Sequence, residues 1–441
     1  MRCCLSQGQF FSDIPVSPYS VPEPTHPQDA RVNRPVRNQI EMVMRDLDSF
    51  VSDNHTARAV WQFIDRMELS AFYASIKSVL CSPGRPATDP QTLLALWVYA
   101  TVEGVGSARR LEKLCEEHDV YRWLAGGVPI NYHMLSDFRV ANQAALDDLL
   151  TKILATMMAT GLVTLEEVAH DGTKMRTSAG DGSFHRRRTL EEYLEAAGER
   201  VEQLAKEREH PDPGVSSRQR AARERAARER QQRVEEALRQ LVEVEAAKER
   251  QKKKRTGKKI TEARASTTDP EARVMRMPNG GFNPAYNVQL VTDVESLVVV
   301  GVAVSNRGAD QGEALGMEQQ VVKRTGKHPK HYLMDSGFIN LEQIIELDRS
   351  GVEVYAPTNA GHETPKPKDP PEIASWRARM STEEGKETYK KRASTAEWTN
   401  AQVKGRHRMQ QFSVRGLTRV TSVMLLMAIT HDLLRWITLS Q

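Results

Sequence analysis

Between Glu166 and Pro357 the chain carries five short apolar runs: EEVAHD (Glu166 to Asp171), AYNVQLVTD (Ala285 to Asp293), SLVVVGVAV (Ser296 to Val304), HYLMD (His331 to Asp335) and VEVYAP (Val352 to Pro357). Short apolar runs of this length are strand signals. The second and third lie two residues apart and predict a β-hairpin. Helical stretches around Gly312 to Arg324 and Leu341 to Arg349 separate the later runs. Antiparallel strands followed by β-α-β units predict a mixed sheet with helices packed on it.

One long segment cannot belong to that sheet. From Arg187 to Lys259 the chain is dense in Arg, Glu, Lys and Ala, with HPDPG (His210 to Gly214) as its strong breaker. Leu190, Leu194, Ala197, Val201 and Leu204 step by four and three, and Val234, Leu238 and Leu241 repeat the step. The pattern predicts an antiparallel helical hairpin over 187–259, inserted after the first strand. Its end, QKKKRTGKK, includes Lys252, Lys253 and Lys254, a run that can neutralise phosphates.

Upstream the period changes. Phe63, Met67, Leu69 and Phe72, then Leu93, Leu94, Leu96 and Trp97, then Leu111 and Leu114 recur at helical spacing. Residues 39–161 therefore read as an all-α domain, and 162–441 as the α/β domain. Residues 1–38 are proline-rich, poor in apolar residues, and read as a flexible tail. The apolar run from Val420 to Leu439 is interrupted by His431, Asp432 and Arg435, so it reads as a buried helix and no membrane is expected.

Charge and cysteine content exclude some classes. The formal net charge is +4, from 62 Lys plus Arg against 58 Asp plus Glu, so contact with a polyanion must come from local clusters. Cys3, Cys4, Cys81 and Cys115 show neither metal-ligand spacing nor a disulfide framework. A reducing cytoplasm fits that usage.

The carboxylates carry the chemistry. Asp171 and Asp335 both end predicted strands, in HDGTKMR and YLMDSGF. If those strands are parallel neighbours, both acids emerge at one carboxyl edge, where open α/β sheets bind ligands. A third acid must come from elsewhere. The stretch from Glu387 to Lys404 lacks breakers, and Glu397, Lys404 and Arg408 at i, i+7 and i+11 would share one helix face. Three carboxylates suffice to hold a pair of Mg²⁺ ions, with Mn²⁺ as a substitute, for in-line displacement at phosphorus. Lys404 and Arg408 would then hold phosphates. Asp293 sits in an expected hairpin turn, Asp269 and Asp310 sit in loops, and His170 should point away from Asp171 by strand alternation.

Several ordered motifs carry a resemblance. They are GRPATDPQTLLALWVYA (Gly84 to Ala100), GVGSARRLEKLC (Gly104 to Cys115), YRWLAGG (Tyr121 to Gly127), LSDFR (Leu135 to Arg139), HDGTKMR, NPAYNVQLVTD (Asn283 to Asp293), YLMDSGF and AEWTNAQVKGRHRMQQFSVRGL (Ala396 to Leu417). From about residue 60 to residue 436 the chain resembles bacterial insertion-sequence transposases with a DDE triad in an RNase H-like fold. The resemblance implies Asp171, Asp335 and Glu397 as catalytic metal ligands. It also implies cleavage at transposon terminal inverted repeats, transfer of the 3′-hydroxyl into target DNA, and a helical domain that binds the repeats.

Many members carry Tyr, two residues, Arg, three residues, Glu, six residues, Lys. Here Tyr389, Arg392, Glu397 and Lys404 keep the outer spacings, with four residues between Arg392 and Glu397. Expected DNA contacts are Lys174 and Arg176 after the first acid, Arg109, Arg110 and Arg139 in a helix-turn-helix-like stretch, and Lys404, Arg408 and Lys252 to Lys254. A homodimer or higher oligomer on DNA and a nucleoid-associated cytoplasmic location accompany this reading. The alternatives are a DNA-binding descendant without catalysis, to which the altered Arg392 spacing points, and a helical scaffold built on the charged insertion.

Overall fold

In the computed structural model the described residues are 42, 44–78, 86–209, 214–254, 262–358 and 364–440. The expected N-terminal tail, residues 1–38, lies wholly outside them. Among the described residues seven α-helices come first: α1 (Thr56–Asp65), α2 (Ser70–Tyr73), α3 (Pro90–Val102), α4 (Ala108–Glu117), α5 (Asp119–Ala125), α6 (Tyr132–Ala141) and α7 (Gln143–Ala159). Their starts follow from capping. Asp89 accepts from the Gln91 amide ahead of Pro90, Ser107 from Arg110, and Asn131 from Met134. The YRWLAGG motif ends α5 because Gly126 takes a left-handed φ of 59° there. Nearly every residue of α3 is buried, so it is the axle around which the other helices pack.

The sheet then begins with β1 (Glu167–Arg176). It is interrupted by a small base ladder, β2 (Phe184–His185) and β3 (Ala265–Ser266), which closes the helical hairpin α8 (Arg187–Glu209) and α9 (Ser217–Lys254). Leu190, Val234, Ala237 and Leu241 form the apolar seam of that hairpin, as the helical step predicts. Arg273 fastens the seam to the body, donating to Gln240 Oε1 at 2.5 Å. The sheet resumes with β4 (Arg273–Arg276), β5 (Phe282–Asp293) and β6 (Val299–Ser305). After these come α10 (Ala314–Thr325), β7 (His331–Met334), α11 (Leu341–Arg349), β8 (Glu353–Tyr355), α12 (Pro371–Ser381), α13 (Glu383–Ala401) and α14 (Leu417–Leu439).

β5 pairs antiparallel with β4, β6 and β1, while β1, β7 and β8 run parallel. This is the mixed sheet with flanking helices that the sequence predicts. The direct contact of β1 with β7 is the feature that matters for the site: the ladder stops at His170 and Met334, so Asp335 follows the end of β7, while Asp171 lies midway along β1, which runs on to Arg176 instead of ending at Asp171 as the sequence suggests.

α14 is long and apolar enough to cross a membrane, yet most of it is buried inside the protein. It packs on α7, β6 and α3. Val420, Met424, Leu425, Leu426, Met427, Ile429 and Leu433 are all buried, each contributing about 1.5–3 kcal/mol. Its polar interruptions meet the neighbouring hairpin: the Val299 amide donates to Asp432 Oδ1 at 2.8 Å, while Asp432 Oδ2 stays buried without a partner among the described residues, and His431 Nε2 pairs with the Leu297 carbonyl at 2.9 Å. From Leu47 onward the chain forms one compact unit.

Burial lowers the His431 pKa from 6.5 to about 4. The sign follows from linkage. As pH falls below 6.5 the unfolded chain takes up this proton first, so the contribution is fully present above 6.5 and is lost toward pH 4. His431→Asn should therefore remove up to about 1.4 kcal/mol per pH unit from the slope of unfolding free energy in that window. Urea unfolding of both proteins at pH 6.5 and 5 measures it, and equal slopes would refute it.

Candidate active site

β1 and β7 are parallel, with His170 opposite Met334, so Asp171 and Asp335 follow at adjacent positions of one edge. Asp335 caps the short turn Ser336–Phe338, accepting from the Gly337 amide at 2.7 Å. α13 lies across this edge. From it Arg392 Nη2 reaches Asp171 Oδ1 at 2.6 Å and Asp335 Oδ2 at 3.6 Å, and Asn400 Nδ2 donates to Asp171 Oδ2 at 2.6 Å. Tyr389 lies beside Arg392. Burial raises the Asp171 pKa, opposed by Arg392 and Asn400 and reinforced by the carboxylates of Asp335 and Asp310.

Glu397 is not brought to this pair. Arg392, Thr395, Ala396, Thr399 and Asn400 make the inward side of α13, and Glu397 is exposed. Four residues after Arg392 comes Ala396, which is buried; Glu397 stands 100° further round. The predicted common face of Glu397, Lys404 and Arg408 does not form either. α13 ends at Ala401, passes into a π turn over Gln402–Arg406, and Arg408 adopts a left-handed φ of 50°. The wider turn, containing Gly405, moves Lys404 toward Asp171, whose charge partly offsets the lowering of the Lys404 pKa by burial. Arg408 instead folds onto Gly104, where a Cβ would meet its side-chain carbons at 2.8 Å.

A loop acid joins the edge in a way the sequence does not display. Asp310 Oδ1 accepts from Asn287 Nδ2 at 2.7 Å and Gln289 Nε2 at 2.9 Å. Gln289 pairs onward with buried His170 at 2.8 Å, and His170 with the Tyr332 hydroxyl at 2.9 Å. A Cβ on Gly172 would stand 2.2 Å from Asp310 Oδ1, so the glycine after Asp171 admits this carboxylate against the strand. Asp310 Oδ2 and Asp335 Oδ1 both lie within 3.9 Å of where a Gly337 Cβ would be. As expected, Asp293 is a turn residue, bonded to the Ser296 hydroxyl and amide and to the Leu165 amide. Asp269 is buried against Tyr286.

Among the described residues no three His, Cys, Asp or Glu side chains converge closely enough to hold a metal ion. The donor chemistry still suits a hard cation. Two carboxylates already share one cationic group, and Asn400 Oδ1 is a buried oxygen without a partner. An all-oxygen set of this kind matches Mg²⁺ or Mn²⁺.

Comparison with known families decides the class. Residues 45–141 match the family described as transposase domain (DUF772), and residues 367–437 match the family described as transposase DDE domain. Both matches support an insertion-sequence DDE transposase. No curated protein and no solved structure matches it.

The expected DNA contacts divide by exposure. Arg109 and Arg110 are exposed on α4, Arg109 lying 5.0 Å from the Tyr132 ring centroid. Arg176 is exposed at the end of β1 and Lys174 is partly exposed. Arg139 cannot read DNA from where it stands. It is buried, with its guanidinium 4.0 Å from the Trp97 ring centroid and Nη1 donating to the Gly106 carbonyl at 2.8 Å. Its place in LSDFR is thus structural, and burial lowers its pKa to about 10. The Lys252, Lys253 and Lys254 side chains lie outside the described residues.

Proposed function

We propose that this transposase performs metal-dependent strand cleavage at transposon terminal inverted repeats and transfers the resulting 3′-hydroxyl into target DNA. The observation that carries the reading is the pairing of Asp171 with Asp335 across the parallel β1–β7 contact, beneath a helix that brings Arg392, Asn400 and Lys404. Asp171 and Asp335 would hold Mg²⁺ or Mn²⁺, with Glu397 as the third acid by resemblance. When bound, the metal supplies activation of the attacking oxygen and stabilisation of the leaving oxygen. The chain's own groups do the positioning: Asn400 orients Asp171, and Lys404, with Arg176 and Lys174 along β1, meets the phosphates. The helical domain reads the repeats, the protein acts as a homodimer or larger assembly, and it works on the bacterial nucleoid.

The outward placement of Glu397 favours one second reading, a DNA-binding descendant that no longer cleaves. Incubation with duplexes bearing the inverted repeats that flank its reading frame separates the two. Nicks should form with Mg²⁺ or Mn²⁺ and vanish with a chelator. Specific binding with no nick in any divalent metal would establish the second reading instead.

A further inference from the structure

A hollow of about 310 Å³ lies away from the catalytic edge, where the helical hairpin meets the body. Tyr193 of α8 and Arg230 and Arg233 of α9 line one side. Thr267 and Thr268, just after β3, and Arg415, just before α14, line the other. Three guanidiniums thus face one small volume. Arg230 has no ion-pair or hydrogen-bond partner among the described residues. Arg233 has only Glu229, at 4.0 Å, and Arg415 bonds the neutral Ser178 hydroxyl at 3.1 Å. Asp269, the acid behind Arg415, is buried and occupied by Tyr286 and the Gly416 amide.

Three guanidiniums that share one distant carboxylate, Glu229, and the already engaged Asp269 repel one another until an anion enters. The lining also fixes the kind of anion. Planar guanidiniums present paired donors that match phosphate oxygens, and the hydroxyls of Tyr193, Thr267 and Thr268 add neutral donors. We propose that this notch grips a backbone phosphate of the DNA bound at the active site, and that the hairpin insertion exists to complete it. The proposal rests on the transposase reading. Ser178, beside Arg415, follows Asp171 by seven residues along β1 and its extension, roughly 23 Å at ~3.3 Å per residue. A duplex lying along that line reaches the notch about seven base pairs from the cleaved bond at ~3.4 Å per pair.

The test uses the full chain and a fluorescent 40-base-pair duplex carrying the terminal repeat, with affinity measured across a NaCl series. The variant R230A/R233A removes two charges from the notch; R228A/R239A removes two from exposed ion pairs on the same helix, outside it. The notch variant should bind about tenfold more weakly near physiological salt, with a log-log salt slope reduced by about one, and the control should match wild type. Equal losses in both variants would reduce the effect to general charge and overturn the proposal, as would no loss in either. If inorganic phosphate raises the melting temperature of wild type but not of the notch variant, while their duplex affinities agree, the notch takes a free anion and the DNA assignment is overturned. Failure of wild type to bind the duplex would instead overturn the transposase reading along with it.

Discussion

Asp335→Asn should abolish metal-dependent nicking, by at least about a thousandfold, while leaving the fold and the duplex affinity intact. Asn keeps the shape of the side chain and can still accept from the Gly337 amide, which Asp335 meets at 2.7 Å, so the turn after β7 survives. Its side chain is 40% exposed, which makes the stability change small. What it loses is one of the two charges that the β1–β7 contact places together. Electrostatic stabilisation by a bound metal supplies several kcal/mol at the transition state, and about 4 kcal/mol corresponds to a thousandfold in rate. Nicked product and thermal melting measured on the same preparation give the answer. A folded variant that still cleaves at more than a tenth of the wild-type rate would remove Asp335 from the chemistry.

The legible part of this site was the part written into strands. Asp171 and Asp335 end short apolar runs that read as strands, and the β-α-β order then makes parallel neighbours the natural arrangement. The hairpin insertion was legible for a similar reason, since its Leu and Val steps repeat on both sides of HPDPG. α13 was not fully legible. Breaker-free sequence through Lys404 says helix, but it does not distinguish an α turn from the π turn at Gln402–Arg406, and that one change separates Glu397, Lys404 and Arg408. Asp310 was hidden because a loop acid has no period. Gly172 was its only trace: a glycine inside a strand marks close approach by another group. Arg139 misled because the same Arg that can contact DNA can also stack on a buried Trp, and composition alone does not separate the two.

Arg392→Met should make the active site bind divalent metal more tightly while weakening the metal-free protein. The guanidinium of Arg392 stands 2.6 Å from Asp171 and 3.6 Å from Asp335, where it neutralises two acids that share a half-buried edge. Burial already disfavours the Asp171 charge, and each nearby carboxylate disfavours it further. Met fills similar volume without charge, so the variant leaves that repulsion unopposed. Breaking a fully buried pair costs about 3–5 kcal/mol, and partial exposure here reduces this to about 1–3 kcal/mol. A divalent cation entering the wild-type site must first displace the guanidinium; in the variant it meets free carboxylates. Relief of even about 1.4 kcal/mol is tenfold in affinity. Titration of Mn²⁺ into each protein, followed by melting, should show a lower starting temperature for the variant, a larger rise on metal addition, and an apparent Kd at least about tenfold lower. Weaker Mn²⁺ binding by the variant would mean that Arg392 supports the metal rather than standing in its place.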